Sequence, residues 1–292
     1  MKKPIIYLER QRGLGDVLWV EPLIRQLAGK YRRVVVLSEY NVLFQNYPLS
    51  QVVFKNRLNW FEKWLYRIDQ KLQHPRFFIR LDMAYENHPK MHFLHAYQQK
   101  AALPFTEEYP KLYLNEDELT DHKDLQKPFA VLHLDTWSEK NYRQVFGIDW
   151  TVIAEFLKNK NIEVIQIGKA ALNIRGTTYR QVDTRQMISL IKKSILFIGI
   201  DSGPSHLAAS LSTPAIIFFG AIDPEFRHFK KLFNGYILQQ PCIYAGCYHE
   251  VISVRGPVCR IAGDVGVPPC CIHTHDSIIR RIDLLIQQRK AL

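Results

Sequence analysis

The chain has 292 residues, 47% hydrophobic and 23% charged, enough for a sizeable core and suited to two domains. No stretch reaches the roughly 18 apolar residues of a membrane-spanning helix. Its 39 lysines and arginines exceed its 28 acidic residues, a formal charge of +11. That balance favours nucleic acid, an anionic membrane face or phosphorylated substrates as partners, unless it serves only to keep the surface solvated.

Met1-Lys2-Lys3 runs into the apolar stretch Pro4 to Leu8, which Glu9 closes. The early acidic stop reads as a first strand and not as a signal peptide, so a cytoplasmic location is expected. Gly13-Leu14-Gly15-Asp16 follows as a turn, after which Val17, Val20, Leu23, Ile24 and Leu27 recur at helical spacing. Residues 33–37 form a second strand, 51–54 a weak third and 77–81 a fourth. Between the last two, Leu58, Phe61, Leu65, Ile68 and Leu72 line one face of a predicted helix. Trp60 and Trp64 lie beside them, and Lys63, Arg67 and Lys71 on another face. Such a helix either lies on an anionic membrane or, as is commoner, turns its apolar stripe to the core. Residues 90–103 again look helical.

The acidic segment 115–127 separates the halves, and the domains are expected at 1–124 and 125–292. The second half alternates strands (129–134, 162–167, 195–198, 215–219) with helices (150–158, 184–193, 204–211, 277–288). Alternation of this kind predicts parallel α/β sheets. Three of these strands run into Gly168, Gly199 and Gly220, which places the loops after them at the carboxyl edge of the sheet, where ligands bind.

Two segments carry chemistry. In the first, Gly13 and Gly15 permit a tight turn, the following helix start offers N–H groups to an anion, and Asp16 sits at that mouth. The plainer alternative is an aspartate capping an ordinary strand-to-helix turn. The second is Gly199-Ile200-Asp201-Ser202-Gly203-Pro204-Ser205-His206. Here a strand gives way to small polar residues and then a helix, so that Asp201, Ser202 and the N–H groups near Gly203 form a phosphate-sized nest. His206, in the first helical turn, can donate a hydrogen bond or carry positive charge toward a diphosphate; an incidental histidine in a capped helix is the alternative.

With Gly15-Asp16-Val17-Leu18, Pro22-Leu23-Ile24, residues 197–209, Thr213-Pro214 and Phe219-Gly220-Ala221-Ile222-Asp223-Pro224 in view, the chain resembles glycosyltransferase family 9, the ADP-heptose:lipopolysaccharide heptosyltransferases. The resemblance implies a GT-B architecture of two Rossmann-like domains facing across a cleft. The N-terminal domain would bind the acceptor and the C-terminal one the nucleotide-sugar, with the last helix a candidate to pack back on the N-terminal domain. It implies inverting, metal-independent transfer with no required cofactor. Asp16 becomes the general base, and Gly15, Thr136, Lys140, Gly168, Asp201, Ser202, Gly203 and His206 contact the donor, an ADP-sugar by default. A glycan or glycolipid acceptor follows, reached from the cytoplasmic face of an anionic membrane. The chain departs from the family after Gly168, where it reads Lys169-Ala170-Ala171 in place of a glutamate at the donor's nucleoside. Two other readings remain open: a DNA-modifying glycosyltransferase, with nucleic acid as partner, and a non-catalytic nucleotide-sugar-binding module.

All five cysteines fall in Cys242-x4-Cys247-x11-Cys259-x10-Cys270-Cys271, with His249, His273 and His275 nearby. Cys242, Cys247, Cys259 and Cys270 are candidate ligands of a structural zinc, although the spacing is not that of a standard finger. Free packed thiols are the commoner arrangement for such a cluster, ahead of zinc and then of disulfides.

Overall fold

A computed structural model describes residues 3–72, 76–135, 140–250 and 258–290. The chain divides into two compact units, Met1–Asn115 and Glu116–Leu292, each built on its own parallel sheet.

In the first unit, β1 (Lys3–Glu9) leads through α1 (Leu14–Leu18) and α2 (Glu21–Lys30) to β2 (Tyr31–Leu37), then β3 (Val52–Lys55), α3 (Trp60–Asp69), β4 (Phe78–Arg80) and α4 (Phe93–Lys100). The described strands lie in the order β3-β2-β1-β4, all pairings parallel. Tyr7 at the centre of β1 pairs with Val35 on one side and Phe78 on the other. The stripe of Val17, Leu23, Ile24 and Leu27 is buried. The single predicted first helix is broken into α1 and α2, the chain passing between them at Trp19-Val20.

The second unit holds α5 (Glu116–Thr120), β5 (Phe129–His133), α6 (Trp150–Asn159), β6 (Glu163–Gln166), β7 (Thr177–Tyr179), α7 (Thr184–Lys193), β8 (Leu196–Ile200), α8 (Gly203–Ser210), β9 (Ala215–Phe218), β10 (Gly235–Leu238) and α9 (His275–Lys290). The strand order is β10-β9-β8-β5-β6-β7, again parallel throughout. Counted from β5, that is the doubly wound order in which the chain reverses direction between the first and fourth strands. β5, β8 and β9 are buried along their whole length, as a sheet covered on both faces requires. Asp149 caps α6 by accepting the Thr151 N–H, and Asp183 with Gln186 closes a capping box on α7.

Several expectations are corrected. Residues 116–124 belong with the second unit, because Arg185 clamps Glu118 and Ser189 donates to its carbonyl; the contacts divide the chain at 115/116 and not at 124/125. The last helix turns Ile278, Ile282 and Leu285 into the core of the second unit beside Ile153 and Leu157. β8 runs through Gly199 to Ile200, one residue past the expected stop. β7 and β10, short and only partly buried, carry too weak a pattern to be read from sequence.

The helix over residues 60–69 overturns the core-stripe reading. Leu65 and Tyr66, with Leu58 just before the helix, do pack against the core, but Phe61, Ile68 and Leu72 are exposed with Trp60 and Trp64. Its buried side is instead acidic. Glu62 accepts from Lys55 at 2.6 Å and Tyr7 at 3.2 Å. Asp69, fully buried, accepts the backbone N–H groups of Arg76, Phe77 and Phe78 at 2.7–3.1 Å.

Candidate active site

Each sheet has a switch point where its strand order reverses, and each switch point gathers ionisable side chains. In the first unit it lies between β1 and β4. Gly13 has φ +82°, and a Cβ there would collide with Asp16 Oδ2, so only glycine lets the aspartate fold back over the turn. The carboxylate meets Arg10, whose Nη2 lies 3.1 Å from Asp16 Oδ2. The same guanidinium approaches Asp82 Oδ1 at 3.3 Å and Glu86 Oε1 at 3.7 Å, both from the segment after β4, and lies over the Tyr85 ring at 5.5 Å. Burial works against the charge on Arg10, but Tyr97, Asp16, Tyr85 and Glu86 outweigh it, and the group titrates above the ordinary arginine range. Burial, with help from Asp16, pushes Glu86 above the usual carboxylate range, while Arg10 opposes the shift.

In the second unit the switch point lies between β5 and β8. His133, the last residue of β5, bonds Ser202 Oγ through Nδ1 at 3.2 Å. Its Nε2 lies 3.2 Å from Asp135 Oδ1. Asp135 also accepts the Lys169 N–H at 2.7 Å. The hydrogen bond from His133 is the main reason its carboxyl sits below the usual range, with the Lys169 N–H and ammonium adding to it against burial. A Cβ at Gly168 would strike the same carboxylate, so the glycine after β6 makes room for Asp135. Arg143 Nη2 stands 3.8 Å from Asp201 Oδ2, which is buried. The N–H of Ser202 donates to Ser205 Oγ across the start of α8.

His206 is buried and stacks on His228 with ring centroids 4.8 Å apart. Burial, with Arg227 and Arg143 nearby, drives its pKa down to about 3. It is therefore a neutral imidazole, and its 3.9 Å approach to Asp201 Oδ1 is not an ion pair. In that state it can donate a hydrogen bond. A cavity of about 370 Å³ opens beside these residues, lined by Leu134, Asp135, Arg143, Trp150, Lys169 and Leu172 among others. An aromatic wall, two cations and a carboxylate in that volume suit a nucleotide-sized ligand.

The second unit thus brings together Gly168, Asp201, Ser202, Gly203 and His206. Lys140 is placed differently: its ammonium lies 3.3 Å from Asp264, while Asn141 donates to the carbonyls of Gly263 and Gly266. Thr136 lies outside the described residues. Gly15 belongs with Asp16 in the first unit, where its carbonyl accepts the Trp19 N–H at 3.2 Å. Sequence reasoning missed Arg10, Asp82, Glu86, His133, Asp135 and Arg143. The pattern His133-x-Asp135 at a strand end was available in the sequence, but the pairing of Arg10 with residues more than seventy positions away was not.

The cysteines are packed as free thiols and are not drawn together as the candidate zinc ligands. Cys247, Cys270 and Cys271 are buried in an apolar cluster with Tyr142 and Ala221, and Cys242 packs against it. All five are free thiols. Burial first, then the neighbouring sulfurs, pushes Cys247 up to about 11, so it stays protonated. Among the described residues no group of three or more histidines, cysteines or carboxylates is arranged to hold a metal. His249 is occupied in accepting the Asp223 N–H at 3.0 Å, and His273 bonds Gln240.

Two curated Escherichia coli sequences of lipopolysaccharide heptosyltransferase 3 are similar to short segments of this chain. One is 53% identical over 63 residues, 22% of this chain and 17% of the relative. The other, from strain K12, is 53% identical over 38 residues, 13% of this chain and 11% of the relative. The matched segments thus span under a fifth of those relatives. Among solved structures, the dodecameric iron-containing heptosyltransferase TibC in complex with ADP-D-beta-D-heptose superposes with a TM-score of 0.74 at 15% identity, covering 99% of this chain and 78% of TibC. E. coli ADP-heptose lps heptosyltransferase II gives 0.67 at 14% identity, covering 99% and 100%. These likenesses show the fold, two parallel-sheet α/β domains of the GT-B kind. Residues 79–242, more than half of the chain, match the family described as Glycosyltransferase family 9 (heptosyltransferase), and the chain belongs to that family.

Proposed function

We propose that this protein is an inverting glycosyltransferase that moves a heptose-like sugar from a nucleotide-activated donor, by default ADP-heptose, to a lipopolysaccharide-type glycolipid acceptor. The observation that carries the reading is the convergence of Arg143, Asp201, Ser202 and His206 beside the cavity walled by Trp150, at the switch point between β5 and β8. The E. coli relatives named for lipopolysaccharide heptosyl transfer support the acceptor class, and the TibC complex supports the donor.

In this reading the nucleoside lies in the cavity and the diphosphate at the start of α8, where the Gly203 N–H and the helix dipole favour an anion. As the glycosidic bond breaks, negative charge grows on the leaving diphosphate. Arg143, neutral His206 as a hydrogen-bond donor, and Lys140 if it leaves Asp264 would stabilise that charge without a metal. Asp16, held by Arg10, takes the proton of the acceptor hydroxyl while the oxygen attacks the anomeric carbon and the diphosphate departs from the opposite face. Such a donor places the reaction on the cytoplasmic side of the membrane. Titration calorimetry of ADP, ADP-heptose and a UDP-sugar against the full chain tests the reading. Binding of the adenine compounds that weakens in Arg143→Ala is the expected result; binding of none of them, or equal binding by wild type and variant, would overturn the donor-site assignment.

A further inference from the structure

Of its apolar residues the helix α3 packs only Leu65 and Tyr66 toward the core. Its two carboxylates face inward: Glu62 is held by Lys55, Tyr7 and the Asn59 N–H, and Asp69 by three backbone N–H groups. Asn59 completes a capping box at its start. Those polar anchors fix the rotation of the helix, and the consequence is an outer face with Trp60 81% exposed, Trp64 54% and Phe61 51%. Ile68 and Leu72 continue the same face and are also exposed. Phe61 stacks on Trp64 with centroids 5.8 Å apart, and Trp60 meets Phe61 edge-on, so the rings form one continuous apolar surface.

The exposed charges of this segment have a single sign. Arg57, Lys63, Arg67 and Lys71 are exposed beside that surface, and both acidic residues of the helix are buried. Lys63, Arg67 and Lys71, four residues apart, form one row along the flank of Trp60 and Trp64. An apolar face of tryptophan and phenylalanine with a basic border fits the boundary between anionic headgroups and acyl chains, where indole rings settle and lysine and arginine reach phosphate. A protein groove would satisfy the rings but gives no reason for four cations and no exposed carboxylate on the element. Among the described residues no helix is long and apolar enough to cross a membrane, and α3, with 10 residues, would lie in the plane of the surface.

We propose that the outer face of α3 docks this protein on an anionic lipid surface, with Trp60, Phe61, Trp64 and Ile68 entering the interface and Arg57, Lys63, Arg67 and Lys71 holding headgroup phosphates. The proposal is independent of the donor-site reading, since it concerns lipid binding by a different part of the chain.

Co-sedimentation of the full chain with vesicles of equal phosphatidylglycerol and phosphatidylcholine, against phosphatidylcholine alone, tests it. Binding only to the anionic vesicles, weakening as salt rises, is the expected result. The double variant Trp60→Ser/Trp64→Ser should weaken binding by about tenfold or more, and Lys63→Glu/Arg67→Glu/Lys71→Glu by on the order of a hundredfold. Both should keep the wild-type circular dichroism and melting temperature, because the altered side chains are exposed. No binding to anionic vesicles, or equal binding by wild type and both variants, overturns the proposal. So does a self-associated species in sedimentation velocity that Trp60→Ser/Trp64→Ser converts to monomer without any vesicle binding, since the face would then be a contact between copies of the chain.

Discussion

Arg10 holds Asp16 from the floor of the first sheet's switch point, with Nη2 3.1 Å from Oδ2. The guanidinium is buried and the aspartate partly exposed, so the cation fixes where the carboxylate points. If Asp16 is the general base, Asp16→Asn should lower turnover by about 10²- to 10⁴-fold with donor affinity unchanged. Steady-state kinetics with calorimetry on the same variant checks this; near-native turnover would reduce Asp16 to a turn-former.

Arg10→Met should act on both stability and turnover. Removing the buried partner leaves Asp16, Asp82 and Glu86 facing one another, which costs about 3 kcal/mol or more. Chemical denaturation should show the loss, and kcat should fall while the KM for donor stays put. Arg10→Lys, which restores the charge but not the fork, should recover part of the stability and less of the turnover.

At the donor site Arg143→Ala should weaken ADP by roughly 1.5–3 kcal/mol, the worth of a charged contact to phosphate. Lys140→Ala should cost less, because that ammonium already has Asp264 at 3.3 Å. If calorimetry ranks the two the other way, Lys140 swings to the diphosphate on binding and Arg143 serves only to hold Asp201.

Acid should destabilise the fold through its buried histidines. His206 is depressed to about 3 and His273 to about 4, each mainly by burial. The unfolded chain takes up protons near pH 6.5 and the folded chain does not, so their stabilising contribution is complete above pH 6.5. It is lost as pH falls from there toward 4 for His273 and toward 3 for His206, with a slope of up to about 1.4 kcal/mol per pH unit for each histidine. His206→Asn should flatten the urea-midpoint profile between pH 6.5 and 4; an unchanged slope would mean that His206 is accessible to protons in the folded state.

Transfer should continue in EDTA, since the proposed charge stabilisation comes from Arg143 and the start of α8. Loss of activity on chelation with recovery in magnesium or manganese would contradict that. Loss accompanied by unfolding would instead point to a metal bound for structure.

The parallel sheets were legible because their strands are buried on both faces and read as unbroken apolar runs, as in Phe129–His133 and Leu196–Ile200. The glycine-ended strands likewise pointed to the carboxyl edge of the sheet, and the segment from Asp201 to His206 lies there. What could not be read were pairings set by topology. Arg10 meets Asp82 only because β4 lies beside β1, and Arg143 reaches Asp201 only because β8 lies beside β5. The rotation of α3 was misjudged for a related reason. Hydrophobic periodicity placed Phe61 and Ile68 inside, but the N–H groups of residues 76–78 need a buried acceptor, and Asp69 supplies it. A polar demand from a neighbouring loop outweighed the apolar stripe.

The group at the end of β1 also constrains what can approach it. Arg10 supplies one positive charge against Asp16, Asp82 and Glu86. Burial raises the pKa of Glu86, yet even with that carboxyl protonated the four side chains sum to a negative value. A phosphate brought close would be repelled, by an amount that grows as water is excluded. The hydroxyl that reaches Asp16 should therefore come from an uncharged part of the acceptor, with any phosphate several ångströms distant. Acceptors that differ only in the spacing between hydroxyl and phosphate should accordingly differ in kcat/KM, the closest-spaced being the poorest.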